Sequence, residues 1–87
     1  MRLDKFLKTS RIIKRRSVAK EISDQGRIKI NGNVAKSSSQ VAVEDELEIS
    51  FGNKTLTVGI DKILDTSKKD EAKELYHVIS EEYKETF

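Results

Sequence analysis

The apolar positions of this chain change their spacing twice. From residue 2 the sequence runs R-L-D-K-F-L-K, with Leu3, Phe6 and Leu7 at the i, i+3, i+4 interval of a helix face. That interval predicts a helix over 2–8, with Arg2, Lys5 and Lys8 off the apolar stripe. A connector follows, T-S-R-I-I-K-R-R-S, whose Ile12–Ile13 pair is expected to plug into the core. Ser17 is a residue type that caps helix N-termini, so a second helix is predicted over 18–25, burying Val18, Ala19 and Ile22. Gly26 then stands where a helix end takes a left-handed residue.

After Gly26 the period falls to two. In R-I-K-I-N-G-N-V the apolar Ile28 and Ile30 alternate with Arg27 and Lys29. Asn31-Gly32 supplies the two positive-φ residues of a type I′ hairpin turn, with 33–36 as a short returning strand. K-S-S-S-Q is loop-like, Val41 and Val43 alternate, and Glu44-Asp45-Glu46 forms an acidic turn. Leu47, Ile49 and Phe51 make a second clean stripe, Gly52-Asn53 turns the chain, and Leu56, Val58 and Ile60 mark the partner strand.

Beyond 61–66 the helical interval returns. Ser67 and Asp70 stand at capping-box spacing, and Ala72, Leu75, Tyr76, Ile79 and Tyr83 recur at i, i+3, i+4, i+7 and i+11. These predict an amphipathic terminal helix of about 17 residues. The expected fold class is thus α+β: two short N-terminal helices packed on a small curled antiparallel sheet, plus a C-terminal helix. The expected division is a domain over 1–63 and a helical extension over 64–87.

Composition narrows the chemistry. Eighty-seven residues suffice for one small domain, and no apolar run approaches the roughly 18 residues of a membrane span. With no signal-peptide pattern at Met1, a cytoplasmic protein is expected. There is no cysteine, so disulfides and thiolate metal sites are excluded. The single histidine, His77, has no second ligand at metal spacing, and no phosphate-cradling glycine loop occurs. Glu44, Asp45, Glu46 and Glu48 read as solvated charges on a turn and strand edge, not as a general acid/base pair. No enzymatic activity, metal or cofactor is therefore expected.

The charge is informative only once the chain is divided. Residues 1–36 hold eleven Lys/Arg against three acids, a net +8; residues 37–87 hold six against twelve, a net −6. Such a dipole suits one face to polyanions. Lys14-Arg15-Arg16 precede the second helix, where backbone N–H groups and the helix dipole already favour a phosphate. Arg2, Lys5, Arg11, Lys20 and Arg27 are expected to join that triplet on one surface. Lys68, Lys69 and Lys73, in the acidic half, are expected to add little.

The order M-R-L-D-K-F-L, S-R, K-R-R-S-x-A-x-x-I, G-R-I-x-I-N-G resembles the RNA-binding domain first defined in ribosomal protein S-four, over residues 1–51. Similar modules occur in the bacterial heat-shock ribosome-recycling protein, in pseudouridine synthases and in tyrosyl-tRNA synthetases. As a stand-alone chain it is most similar to the family's ribosome-associated quality-control factors. The resemblance implies a protein on the large ribosomal subunit, contacting ribosomal RNA and tRNA to stabilise peptidyl-tRNA, beside a partner that elongates the stalled nascent chain; one apolar stripe per element suggests a monomer. It implies an RNA-facing set of Arg2, Asp4, Lys5, Arg11, Arg15 and Arg16, extended by Lys20 and Arg27, and the charge pattern adds Lys14 to it. Asp4 is expected to orient an arginine such as Arg16, and Arg2, so near the terminus, to be held less firmly. Many relatives carry Pro-Gly-Asp before the strand at 47–51, where this chain has Val43-Glu44-Asp45, which suggests a looser turn. The alternative is an RNA-targeting module of a modifying enzyme such as a pseudouridine synthase, although the separate catalytic domain has no room here. A DNA-binding helix-turn-helix is disfavoured by the alternating strands.

Overall fold

The structure, a computed structural model, describes residues 1–65 and 68–83. Two helices come first, α1 (Leu3–Thr9) and α2 (Arg16–Asp24), followed by strands β1 (Ile28–Ile30), β2 (Asn33–Val34), β3 (Glu46–Ser50) and β4 (Lys54–Ile60). A single helical turn, α3 (Lys69–Ala72), leads into β5 (Tyr76–Tyr83). The strands form one antiparallel sheet in the order β2-β1-β3-β4-β5. The α+β class and the two helices ahead of an antiparallel sheet agree with the hydrophobic periods.

One core joins the helices to the sheet. Leu3, Phe6 and Leu7 of α1 and Ala19 of α2 are wholly buried, together with Ile28, Leu47, Ile49 and Val58 from the strands. Ile13 is buried and Ile12 packs against the cluster, so the connector pair does plug the core. Alternation holds along the strands: Ile28 is buried and Lys29 exposed, while Leu47 and Ile49 are buried around a half-exposed Glu48. Asn31 and Gly32 have φ of 50° and 87°, the two positive values a type I′ turn demands.

Helix α2 begins two residues earlier than predicted. Arg15 occupies the N-cap position without a side-chain cap, and Ser17 lies inside the first turn. The longer helix packs on α1 and brings Arg16 Nε within 3.4 Å of the Asp4 carboxylate. Val18, expected in the core, faces outward at 37% exposed, and Ser23 is buried instead because its hydroxyl donates to the Ala19 carbonyl at 2.7 Å. At the far end, Asp24 accepts the Ser37 backbone N–H at 3.0 Å, and that bond holds its carboxyl below the ordinary value.

The long terminal helix is not formed. Ala72 and Leu75 are buried as the helical interval requires, but Ile79 and Tyr83 are 50% and 66% exposed on β5. The helical part expected of 64–87 is confined to Lys69–Ala72, and the Ser67 cap lies outside the described residues. The reason is the long β4 strand, which β3 pairs on one edge only. Its other edge would present a row of unpaired N–H and C=O groups. β5 pairs with β4 from Lys54↔Tyr83 to Ile60↔Tyr76, with an irregularity at Thr57/Val58. A short amphipathic helix is marginal unless its whole stripe finds a core, and only half of this one does.

The turn before β3 is tight, despite the missing Pro-Gly. Asp45 N–H donates to the Ala42 carbonyl at 3.1 Å and the Asp45 carboxylate accepts the Ala42 N–H at 2.8 Å. Glu44 pays for this with φ of 77°, a left-handed conformation that costs a side-chain-bearing residue about 1–2 kcal/mol. Part of that would be offset by glycine's greater unfolded entropy, so Glu44→Gly is expected to stabilise the domain by about 0.5–1 kcal/mol. Thermal unfolding should shift up by roughly 2–8 °C. An unchanged or lower midpoint would show that the strain is not stored there.

Candidate nucleic-acid interface

The helix pair assembles its basic residues around one buried acid. Asp4 is 3% exposed, and its carboxylate takes Arg2 Nε at 3.2 Å on Oδ1 and Arg16 Nε at 3.4 Å on Oδ2. Oδ1 also accepts the Lys5 backbone N–H at 2.9 Å. The two arginines keep about half of their side-chain surface, 45% and 46%. A carboxylate that spends only the Nε donors leaves the outward guanidinium nitrogens for a ligand. A bare surface ion pair would contribute little, but here one end is fixed inside the helix packing.

The backbone pins this arrangement. Helix α1 has no side-chain cap; its first N–H groups are met by carbonyls of the 37–39 loop, Leu3 to Ser39 at 2.8 Å and Asp4 to Ser37 at 3.2 Å. Arg2 forms a bridge with Gln40, and Val41 N–H donates to the Met1 carbonyl at 2.9 Å. Arg2 is thus held more firmly than its place beside the terminus suggests. Its partner Arg16 begins α2, so the positive helix end, Arg15 at the N-cap and Arg16 coincide. Lys20, four residues on, shares the exposed face of α2 with Arg16.

The remaining predicted residues lie elsewhere. Lys5 is turned to Asp65, with Nζ–Oδ1 at 3.3 Å. Arg11 and Lys14 open into a cleft beside α1, with Lys8 on the same wall. Arg27 follows Lys29 onto the sheet face opposite Ile28 and borders a shallow groove with Glu48 and Ser50. One surface holding all eight basic residues does not form; Arg2, Arg15, Arg16 and Lys20 form the helix-junction face, and Arg27 is across the sheet. Among the described residues no group of three or more acids and histidines is placed to hold a metal, and no helix is long and apolar enough to cross a membrane.

Two short helices with arginines gathered on a buried carboxylate, set against a small antiparallel sheet, define the S4 class of domain. Residues 1–47, more than half of the chain, match the S4 domain family. Relatives extend the match. The chain is 58% identical over 82 residues to the RQC P-site tRNA stabilizing factor of Bacillus subtilis, covering 94% of this chain and 95% of that one. It is 58% identical over 81 residues to the protein of the same name from Streptococcus pneumoniae, covering 93% and 92%. Among solved structures, the trimeric Heat Shock Protein 15 of Vibrio cholerae superposes with a TM-score of 0.84 at 33% identity, covering 92% of this chain and 82% of that one. The chain belongs to the S4 domain family and, within it, to the group of the RQC P-site tRNA stabilizing factors.

Proposed function

We propose that this chain is a non-catalytic RNA-binding factor of the large ribosomal subunit, acting as a monomer in the cytoplasm. It contacts ribosomal RNA and tRNA and steadies peptidyl-tRNA in the P site during quality control of stalled chains. A partner protein does the elongation of the nascent chain. The observation that carries this is the Arg2–Asp4–Arg16 arrangement, with two half-exposed guanidinium groups on one buried carboxylate beside an uncapped helix N-terminus. The relatives named for stabilising a P-site tRNA support the choice of ligand.

Mechanistically, recognition is by shape and phosphate position, as befits structured RNA. A phosphate over the start of α2 meets the backbone N–H groups of its first turn and the outward guanidinium nitrogens of Arg16. Arg2, locked to the same carboxylate, grips a neighbouring phosphate. Arg15 and Lys20 extend the track, and Arg11, Lys14, Lys5 and Arg27 add contacts at its margins. The chain carries no reaction of its own; its work is to lower the free energy of the tRNA-bound ribosome.

The test is co-sedimentation of the protein with large subunits carrying P-site tRNA across a salt series. If about four to six basic residues touch phosphates, log affinity should fall against log salt with a slope of roughly −3 to −5. Association that ignores salt would overturn the proposal.

A further inference from the structure

We infer that the cleft between the α1–α2 connector and the C-terminal elements is a second RNA-contacting site, which receives the phosphate backbone of the RNA gripped at the start of α2. The cleft has a volume of about 580 Å³. Lys8, Arg11 and Lys14 line one wall and Lys69 and Lys73 the other. Lys69 and Lys73 belong to the acidic half of the sequence, yet the pairing of β5 along β4 returns them to the basic half. Their spacing of four residues sets both along one side of α3 and the turn that follows it.

All five cations are exposed, and among the described residues none has an acidic partner within ion-pair distance. Asp65 is the one acid on the lining, and it is already engaged by Lys5. Five like charges converging on a cleft repel one another, and walls of low dielectric focus their field into it. A polyanion relieves that repulsion. The floor is less polar: Ala72 and Ser10 are buried there, and Tyr76 is half-buried. A ribose or base can therefore rest against it while phosphates take the rim.

Two features tie the cleft to the helix-junction face. Lys14 lines the cleft while its neighbours Arg15 and Arg16 start α2, so a strand leaving the helix N-terminus runs directly into it. Arg11 has φ of 61°, a left-handed conformation rare for a residue with a side chain. It is kept there by hydrogen bonds from Arg11 N–H to the Lys8 carbonyl at 3.0 Å and from Ile13 N–H to the Leu7 carbonyl at 3.1 Å. Strain held this firmly fixes the backbone from which the Arg11 side chain leaves for the rim, so its guanidinium is free to meet a ligand there.

The inference rests on the RNA-binding reading above, and the test separates the two. Affinity for large subunits carrying P-site tRNA is measured for Lys69→Gln with Lys73→Gln, for Lys8→Gln with Lys14→Gln, and for Arg16→Ala. Lys54→Gln with Lys62→Gln removes equal charge at two residues that neither line the cleft nor belong to the helix-junction face. Each cleft pair is expected to weaken binding about tenfold and to flatten the salt slope by roughly 1.4–1.8, the share of two phosphate contacts. The control pair should change neither by as much, and thermal midpoints confirm folding. If Arg16→Ala weakens binding while folded variants of both cleft walls match the control, the cleft is not an RNA site and the helix-junction reading stands. If Arg16→Ala also binds as wild type, both fail. An acidic protein as occupant would appear as cleft variants with wild-type RNA affinity and slope, which overturns the inference.

Discussion

Arg16→Ala is expected to remove most ribosome association while leaving the fold intact. Its side chain is half exposed and contributes nothing to the buried core, so the packing of α2 through Ala19 and Ser23 survives. What is lost is a charge-assisted grip over the helix N-terminus, worth about 1.5–3 kcal/mol, or roughly a ten- to hundredfold fall in affinity. Arg2→Ala should come close to it, because the bridge to Gln40 and the shared Asp4 carboxylate hold Arg2 as firmly as its partner. Lys54→Ala, whose Nζ pairs with Glu81 at 3.2 Å between β4 and β5, is the comparison. The measurement is the fraction co-sedimenting with large subunits, with circular dichroism to confirm folding. A folded Arg16→Ala that binds as well as Lys54→Ala removes the basis for the helix-junction face.

Asp4→Asn is expected to weaken RNA binding about tenfold, even though it makes the protein more positive. By charge alone, losing an acid from the basic half should strengthen binding to a polyanion. A fall in affinity therefore identifies positioning, since the neutral amide cannot hold two guanidinium groups at once. Both arginines remain, so the salt slope should stay near its wild-type value while the affinity drops. In the Arg16→Ala background the same change should cost less, because one of the two side chains it positions is gone; additive effects would break the proposed coupling. A rise in affinity would mean that Asp4 merely repels the ligand.

Much of this architecture is written in residue spacing. The i, i+3, i+4 run at Leu3, Phe6 and Leu7 yields α1, the alternation at 28–30, 47–51 and 56–60 yields β1, β3 and β4, and Asn31-Gly32 yields the hairpin turn from β1 into β2. These elements are legible because each buries one face against a single core, so burial and local period agree. The same logic fails at the C-terminus. There the helical interval of Ala72, Leu75, Tyr76, Ile79 and Tyr83 is true for its first half only, and the demand of β4 for backbone partners decides the rest. Hydrogen bonding along a strand edge leaves no signature in side-chain period, so no local pattern announces β5.

The binding face divides in the same way. The charge asymmetry and the triplet Lys14-Arg15-Arg16 mark a polyanion-binding half, since counterion release depends on charge that composition already displays. Which charges act together is set by contacts between residues far apart in the chain. Asp4 meets Arg16 because α1 and α2 pack, Arg27 goes to the opposite sheet face because strands alternate, and Lys69 and Lys73 reach Arg11 and Lys14 because β5 returns along β4. Local propensity acts over a few residues, whereas a site is a convergence of several segments in space. Residue spacing therefore specified the elements up to β4 and composition the sign of the surface, while packing decided β5 and the company each charge keeps.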